Sequence, residues 1–372
     1  MPKADIKSMT PEELRDALCR LGQPGYRAGQ VFTWLQSGAD GFAGMTNLPR
    51  TLRETLEEQF YIAGVEIVRK VESRLDETKK YLYRLHDGEC VESVLMKYKH
   101  GYSVCISTQV GCRMGCSFCA SGLDGLCRNL TASEMLSQVQ TAGLDNGVRI
   151  SNIVLMGMGE PLDNYDNTIR FLDLVSHPAG LNIGLRHISL STSGVVPGIY
   201  RLAQEKKPVT LSISLHAPND EIRSRIMAVN RRWGVEELLK ACREYIDVCG
   251  RRISFEYAMI EGINDSDACA GELAARLRGM LCHVNLIPAN PVKENGYRRP
   301  DPRRVERFSA LLNSLGINTT VRRTLGADID ASCGQLRRKY TPPAPVPEGG
   351  ERCGTPSQPV PSDLSSEKEV LQ

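Results

Sequence analysis

Three cysteines, Cys112, Cys116 and Cys119, stand in the run Gly-Cys-Arg-Met-Gly-Cys-Ser-Phe-Cys that begins at Gly111. Their C-x3-C-x2-C spacing is not the paired C-x2-C of a zinc ribbon. Three thiolates on one short loop can hold three irons of a [4Fe–4S] cube and leave the fourth iron open to another ligand. The preceding stretch, Ser103 to Thr108, reads as a strand, so the loop sits at a strand's C-terminal end. Barrel enzymes place their chemistry there. The alternative is a structural zinc site completed by Cys105 or Cys127.

From Ser103 onward, strand patterns alternate with helical ones: 103–108, 151–156, 185–191, 209–216, 253–260 and 282–287 read as strands. Helical patterns lie between them. One starts at a Thr131/Glu134 capping box, and the last, 303–316, carries Val305, Phe308, Leu312 and Leu315 on one face with Gly316 as its stop. Repeats of this kind imply a parallel, curved sheet with helices outside, an open (β/α)6 partial barrel with its mouth at the strand C-termini. A further strand is expected over 318–324. Before the barrel, residues 1–61 read as a small helical accessory domain. Its first helix is capped by Thr10 with Pro11 and Glu13, and its second runs over 27–35. Residues 62–100 read as an antiparallel meander of strands 65–71, 80–85 and 90–98. The core is expected to span 101–340, and the Pro-, Ser- and Glu-rich stretch 341–372 to be a disordered tail.

With 41% hydrophobic residues in 372, the chain can bury one large core and a smaller one. It has no run of ~18 apolar residues and no apolar signal core at its start, so no membrane span and a cytoplasmic location are expected. Thirteen cysteines without a secretion signal fit reduced thiols better than a disulfide framework. Cys19, Cys90, Cys242, Cys249, Cys269 and Cys282 lie in periodic segments and read as small core residues. The net charge of +2 excludes little. Arginine pairs at 223/225, 231/232, 298/299, 303/304 and 322/323, and the 337–339 cluster, could bind phosphate or be solvated surface.

Several polar turns follow the strands. Met156-Gly-Met-Gly-Glu-Pro161 offers two glycines for close backbone approach and Glu160 as an acceptor for an ammonium group. Ser191-Thr-Ser-Gly194, Ser214-Leu-His-Ala-Pro218 and Ile287-Pro-Ala-Asn-Pro291 add hydroxyls and an amide. At strand C-termini these should converge on one bowl. His216 can equally be a satisfied core histidine.

The cysteine spacing resembles the radical S-adenosylmethionine (SAM) superfamily, in which the open iron binds SAM and its cleavage gives a 5′-deoxyadenosyl radical. Longer runs narrow this. Met156 to Asp166 (MGMGEPLDNYD), Leu190 to Pro197 (LSTSGVVP), Ser212 to Asp220 (SISLHAPND), Asp328 to Leu336 (DIDASCGQL) and Pro24 to Phe32 resemble the RlmN-type methyltransferases. The resemblance implies methylation of C2 of adenine 2503 in 23S ribosomal RNA and of adenine 37 in transfer RNAs, with two SAM per turnover. A Cfr-type C8 methyltransferase is the alternative, and a non-enzymatic metal-bearing RNA-binding module is a third reading.

The resemblance makes Cys112, Cys116 and Cys119 the cluster ligands and Gly159, Glu160, Ser191, Ser214, Leu215, His216 and Asn290 the SAM contacts. It makes Cys333 the methyl-carrying thiol, Cys105 its disulfide partner and Glu92 the acid–base residue. Adenine C2 is electron-poor and cannot attack the SAM methyl group directly, so one-step transfer fails, and the resemblance implies that Cys333 first accepts the methyl group. A monomer served by a flavodoxin- or ferredoxin-type electron donor is expected. Cys127, Ala289 and the tail depart from the family pattern.

Overall fold

The computed structural model describes residues 3–290, 296–331 and 335. Cys333, the 337–339 cluster and the tail lie outside these residues. The chain opens with β1 (Ala4–Asp5), α1 (Pro11–Arg20), α2 (Tyr26–Gln36), α3 (Arg50–Gln59) and β2 (Phe60–Tyr61), and β1 pairs with β2. The expected capping box is present at α1, where Thr10 and Glu13 each accept the other's backbone N–H. Helix α3 adds an element beyond the two expected in this domain: only Leu52 and Leu56 are buried in an otherwise polar run, too few to announce a helix.

The sheet is continuous from the meander into the barrel. Strands β3 (Glu66–Glu72), β4 (Lys79–Arg84) and β5 (Cys90–Tyr98) are antiparallel, and β5 pairs antiparallel with β6 (Gly101–Cys105). The chain then makes a hairpin, β7 (Gln109–Gly111) and β8 (Leu126–Asn129), followed by α4 (Ala132–Asn146) behind the second capping box, Thr131 with Glu134. The alternation runs on through β9 (Ile150–Leu155), α5 (Tyr165–Ser176), β10 (Ile188–Thr192), α6 (Val196–Glu205) and β11 (Thr210–Ser214). It ends with α7 (Asp220–Ile226), α8 (Val235–Cys249), β12 (Ile253–Met259), α9 (Asp267–Leu277), β13 (Cys282–Pro288), α10 (Pro302–Ser314) and β14 (Thr319–Val321). Sheet order β14-β13-β12-β11-β10-β9-β6-β5-β4-β3 gives seven parallel strands from β6 to β14, with the meander on the β6 edge.

This is the expected radical SAM α/β architecture. Parallel strands covered by helices read as unbroken apolar runs. β12, Ile-Ser-Phe-Glu-Tyr-Ala-Met, is buried at every position. Three further details differ from expectation. Leu315 is exposed, because α10 stops at Ser314 and Gly316 (φ 85°) turns the chain away. Cys19 is exposed and Cys249 and Cys282 are only half-buried, whereas Cys90, Cys242 and Cys269 are core residues. Arg223, read as a surface cation, is fully buried.

Candidate active site

The cysteine loop is the tip of the β7–β8 hairpin. Gly111 (φ 78°) makes the turn possible: a Cβ there would lie 1.9 Å from the Gly125 carbonyl oxygen. The Cys112 amide donates to that same oxygen at 2.9 Å and closes the loop. At the far side, the Ser117 amide donates to the Ile226 carbonyl at 2.9 Å and Cys116 bridges to Met227 at the end of α7. Phe118 sets its edge against the His216 ring, centroids 4.9 Å apart at 85°. The loop is thus held from both sides before any ligand binds.

One cavity of about 1110 Å³, counting its open mouth, is lined by all three thiols and by Gly159, Glu160, Ser191, Ser214, His216 and Asn290. The strand-end turns converge as their spacing implied. Leu215 does not line it: its side chain is buried, and its carbonyl accepts from Arg223 Nε at 3.0 Å. Cys105 lines an adjoining cavity that shares Met156, Ile287, Asn290 and Arg322 with the first. Glu92 is on neither wall. It faces a third cavity between β3, β4 and residues 328–330, with Lys80 Nζ 3.0 Å from its Oε1.

Glu160 is buried with both oxygens engaged, Oε1 accepting from the Leu162 amide at 3.0 Å and Oε2 from the Ser193 amide at 2.6 Å. Burial still raises its pKa above the ordinary carboxyl value. Gln109 joins the hairpin to this turn: its Oε1 accepts the Glu160 amide at 2.8 Å and its Nε2 donates to Asp163 at 2.8 Å. The two glycines of the turn pack on the chain's own backbone. A Cβ on Gly157 would lie 2.6 Å from the Ile106 oxygen, and one on Gly159 (φ 103°) would lie 2.6 Å from Gln109 Cβ. Their smallness first serves the contact with the β6–β7 connection.

His216 (φ 57°) accepts the Ala258 amide at Nδ1, 2.8 Å away. Burial, aided by the Arg223 charge, pushes the imidazole down to about 3. The ring is therefore neutral, and this hydrogen bond places its proton on Nε2. A core role and a place on the cavity wall coexist in one side chain. Glu256 of β12 also lines the cavity and was missed. It is buried, accepting from Ser254 Oγ at 2.9 Å and from Asn285 Nδ2 at 2.7 Å. A lone acid inside an apolar strand run was the available signal.

The three thiols suit a polynuclear cluster. All three line one cavity. A single zinc draws its sulfurs to ~2.3 Å from one point. In a cube each thiolate takes a different iron, so the sulfurs need only ring the cavity. Neither Cys105 nor Cys127 lines it; Cys127 faces a small separate cavity behind the hairpin. Burial, with Glu160 and the neighbouring Cys119 adding to it, pushes the Cys112 thiol up to about 12. Burial and the two other thiols raise Cys116 as well. Three thiolates here need bound positive charge.

Residues 106–270 match the model of the radical SAM superfamily, and residues 4–62 match the ribosomal RNA large subunit methyltransferase N-terminal domain. The chain is 54% identical over 340 residues to a probable dual-specificity RNA methyltransferase RlmN of Alkaliphilus oremlandii, covering 91% of this chain and 99% of that protein. A protein of the same name from Pelotomaculum thermopropionicum is 53% identical over 339 residues, covering 91% and 92%. A crystal structure of a radical SAM methyltransferase from Sphaerobacter thermophilus superposes with a TM-score of 0.87 at 48% identity, covering 91% of this chain and all of that one. No described helix is long and apolar enough to cross a membrane. With both family models, relatives of nearly full length and a shared fold in agreement, the chain belongs to the RlmN family of radical SAM RNA methyltransferases.

Proposed function

We propose that this chain methylates C2 of adenine 2503 in 23S ribosomal RNA and of adenine 37 in transfer RNAs, through a methylated Cys333 and two SAM per turnover. The observation that carries this reading is the adjacency of two cavities. The space ringed by Cys112, Cys116 and Cys119 shares Met156, Ile287, Asn290 and Arg322 as a common wall with the space lined by Cys105. A thiol beside the cofactor site is what a two-thiol methyl relay requires.

When bound, the cluster and SAM supply a transferable methyl group and a hydrogen-abstracting carbon radical. The three loop cysteines hold the cluster. Glu160 offers its remaining lone pairs to the SAM ammonium, and Ser191, Ser214, His216 and Asn290 offer partners to ribose and adenine, with Gly159 contributing backbone, while Leu215, behind the wall, holds Ser214 and His216 in place. Cys333 accepts a methyl group and then carries the carbon that bonds to the RNA base. Glu92, which lines the third cavity beside residues 328–330, is the residue we assign to loss of the C2 proton, and the electron left unpaired by the addition returns to the electron-donor system. Cys105 thiolate attacks the Cys333 sulfur: the S–S bond forms, the bond from sulfur to the RNA-bound carbon breaks, and that carbon takes up a proton. A thiol reductant restores both cysteines, and a flavodoxin- or ferredoxin-type protein delivers the electrons. The target adenine must be splayed from its stack to reach the cavity mouth.

Nucleoside analysis of 23S ribosomal RNA and transfer RNA from a deletion strain tests the reading. Loss of 2-methyladenosine from both RNAs is expected. Retention of 2-methyladenosine with loss of 8-methyladenosine would establish the Cfr-type C8 activity instead.

A further inference from the structure

Arg223 lies on α7, outside the ligand sets for cluster and SAM, and it is buried to the last atom. Its guanidinium donates to the Leu215 carbonyl at 3.0 Å, the Ser193 carbonyl at 2.5 Å, the Ser214 carbonyl at 3.2 Å and Asn230 Oδ1 at 2.9 Å. All four acceptors are neutral. Asp220, on the same helix, spends Oδ1 on Asn230 Nδ2 and on the Val235 amide. Burial opposes the Arg223 charge, and the negative groups that offset this are Cys116 of the cysteine loop first and then Asp220 and Cys242, so one of the loop thiols already lies within its electrostatic reach.

The same short helix reaches the cysteine loop. The Ile226 carbonyl accepts from the Ser117 amide at 2.9 Å, and Met227, whose amide returns to the Arg223 carbonyl at 2.7 Å, is bridged to Cys116. Arg223, midway along α7, therefore ties the ends of β10 and β11 together, while the C-terminal end of the helix braces the cysteine loop. A cube held by three thiolates carries net negative charge, and one unit more after reduction. The potential of such a cluster follows the net charge around it.

We propose that Arg223 is the positioning residue and built-in counter-charge of the cysteine-loop centre, favouring its reduced form while fixing the Ser193 and Ser214 backbone on the SAM side. This rests on the reading that Cys112, Cys116 and Cys119 hold a four-iron cluster. Because a guanidinium fork and a charge are separable, substitutions can part the two effects.

The test is a redox titration of the reconstituted cluster, followed by electron paramagnetic resonance, in wild type, Arg223→Lys, Arg223→Gln and Arg223→Met, with SAM affinity measured in parallel. Lysine keeps the charge and loses the fork, so its potential should stay near that of wild type while SAM binds more weakly. Glutamine keeps a donor and loses the charge, so its potential should shift negative; methionine should shift it likewise. Should methionine prevent folding, glutamine carries the comparison alone. Equal potentials in wild type and Arg223→Gln, or an equal shift in Arg223→Lys and Arg223→Gln, would reduce Arg223 to a structural staple and overturn the proposal. A wild-type protein that assembles no cluster would instead sink the underlying cluster reading, seen in its iron and sulfide content before any potential is measured.

Discussion

Lys80 Nζ lies 3.0 Å from Glu92 Oε1, and the same ammonium donates to the Asp330 carbonyl at 2.9 Å. Both side chains are almost wholly buried. Three segments distant in sequence meet at that nitrogen: β4, β5 and the connection that leads, three residues later, to Cys333. A buried pair is expensive to break, because removing one partner strands the other's charge.

Lys80→Met should therefore cost roughly 3 kcal/mol of folding stability, a loss of the size seen when a buried pair is broken. The double change Lys80→Met with Glu92→Leu should recover most of it, since an apolar pair strands no charge. Urea unfolding of Lys80→Met, Glu92→Leu and the double variant checks this. A double variant as unstable as the sum of the two single changes would show that the pair carries no coupling.

Glu134 offers a pH-dependent counterpart at the base of the cysteine hairpin. Burial alone would raise its carboxyl, but hydrogen bonds from His86 and Arg128 outweigh burial and lower it from 4.5 to about 2. A depressed folded value stabilises above the unfolded one, so this contribution is complete above pH 4.5 and fades as the pH falls towards 2. Its ceiling is about 3 kcal/mol. Glu134→Gln should flatten the acid limb of the stability curve over that window and leave the shape above it unchanged. An acid limb as steep as that of wild type would contradict the assignment.

These two pairs show what the sequence could and could not carry. The Thr131/Glu134 capping box is local, three residues apart, and is legible in the amino-acid sequence alone. The partnership of Glu134 with Arg128 and His86 depends on where β8 and the β4–β5 turn arrive in space. Lys80 and Glu92 are diagonal neighbours across β4 and β5, where Lys80 sits opposite Val94 and Glu92 opposite Leu82. Finding them requires the strand register, which side-chain periodicity does not contain. Arg223 misled for a related reason. Beside Arg225 it reads as a basic surface cluster, but adjacent helical residues face different ways, and only Arg223 turns inward. The β7–β8 hairpin was hidden because a three-residue strand is too short to show a period.

The glycines of the Met156–Pro161 turn should tolerate no side chain. Gly159→Ala combines a Cβ 2.6 Å from Gln109 with a φ of 103°, and Gly157→Ala meets the Ile106 oxygen at 2.6 Å. Each should destabilise by about 1–3 kcal/mol. Gly271→Ala is the control: it lies inside α9 with nothing within 4 Å of the added carbon, and should stabilise by up to about 1 kcal/mol. Thermal melts of the three variants give the comparison. Equal melting shifts would mean that the close approach does not govern these positions.

The proposed thiol relay predicts an asymmetry between two cysteines that a purely structural role would not produce. Cys333→Ala removes the acceptor, so the protein should carry no methyl group and no RNA. Cys105→Ala removes only the resolving thiol, so methyl loading and bond formation to RNA should proceed and then stop, leaving RNA attached at Cys333. Stability does not confuse the outcome. Cys105 is buried at the end of β6, and its replacement by alanine deletes one sulfur. That costs roughly 1–2 kcal/mol in a core of this size. Mass spectrometry of each purified variant, with and without ribonuclease treatment, reads both species. A Cys105→Ala protein that turns over normally and carries no RNA would remove Cys105 from the reaction.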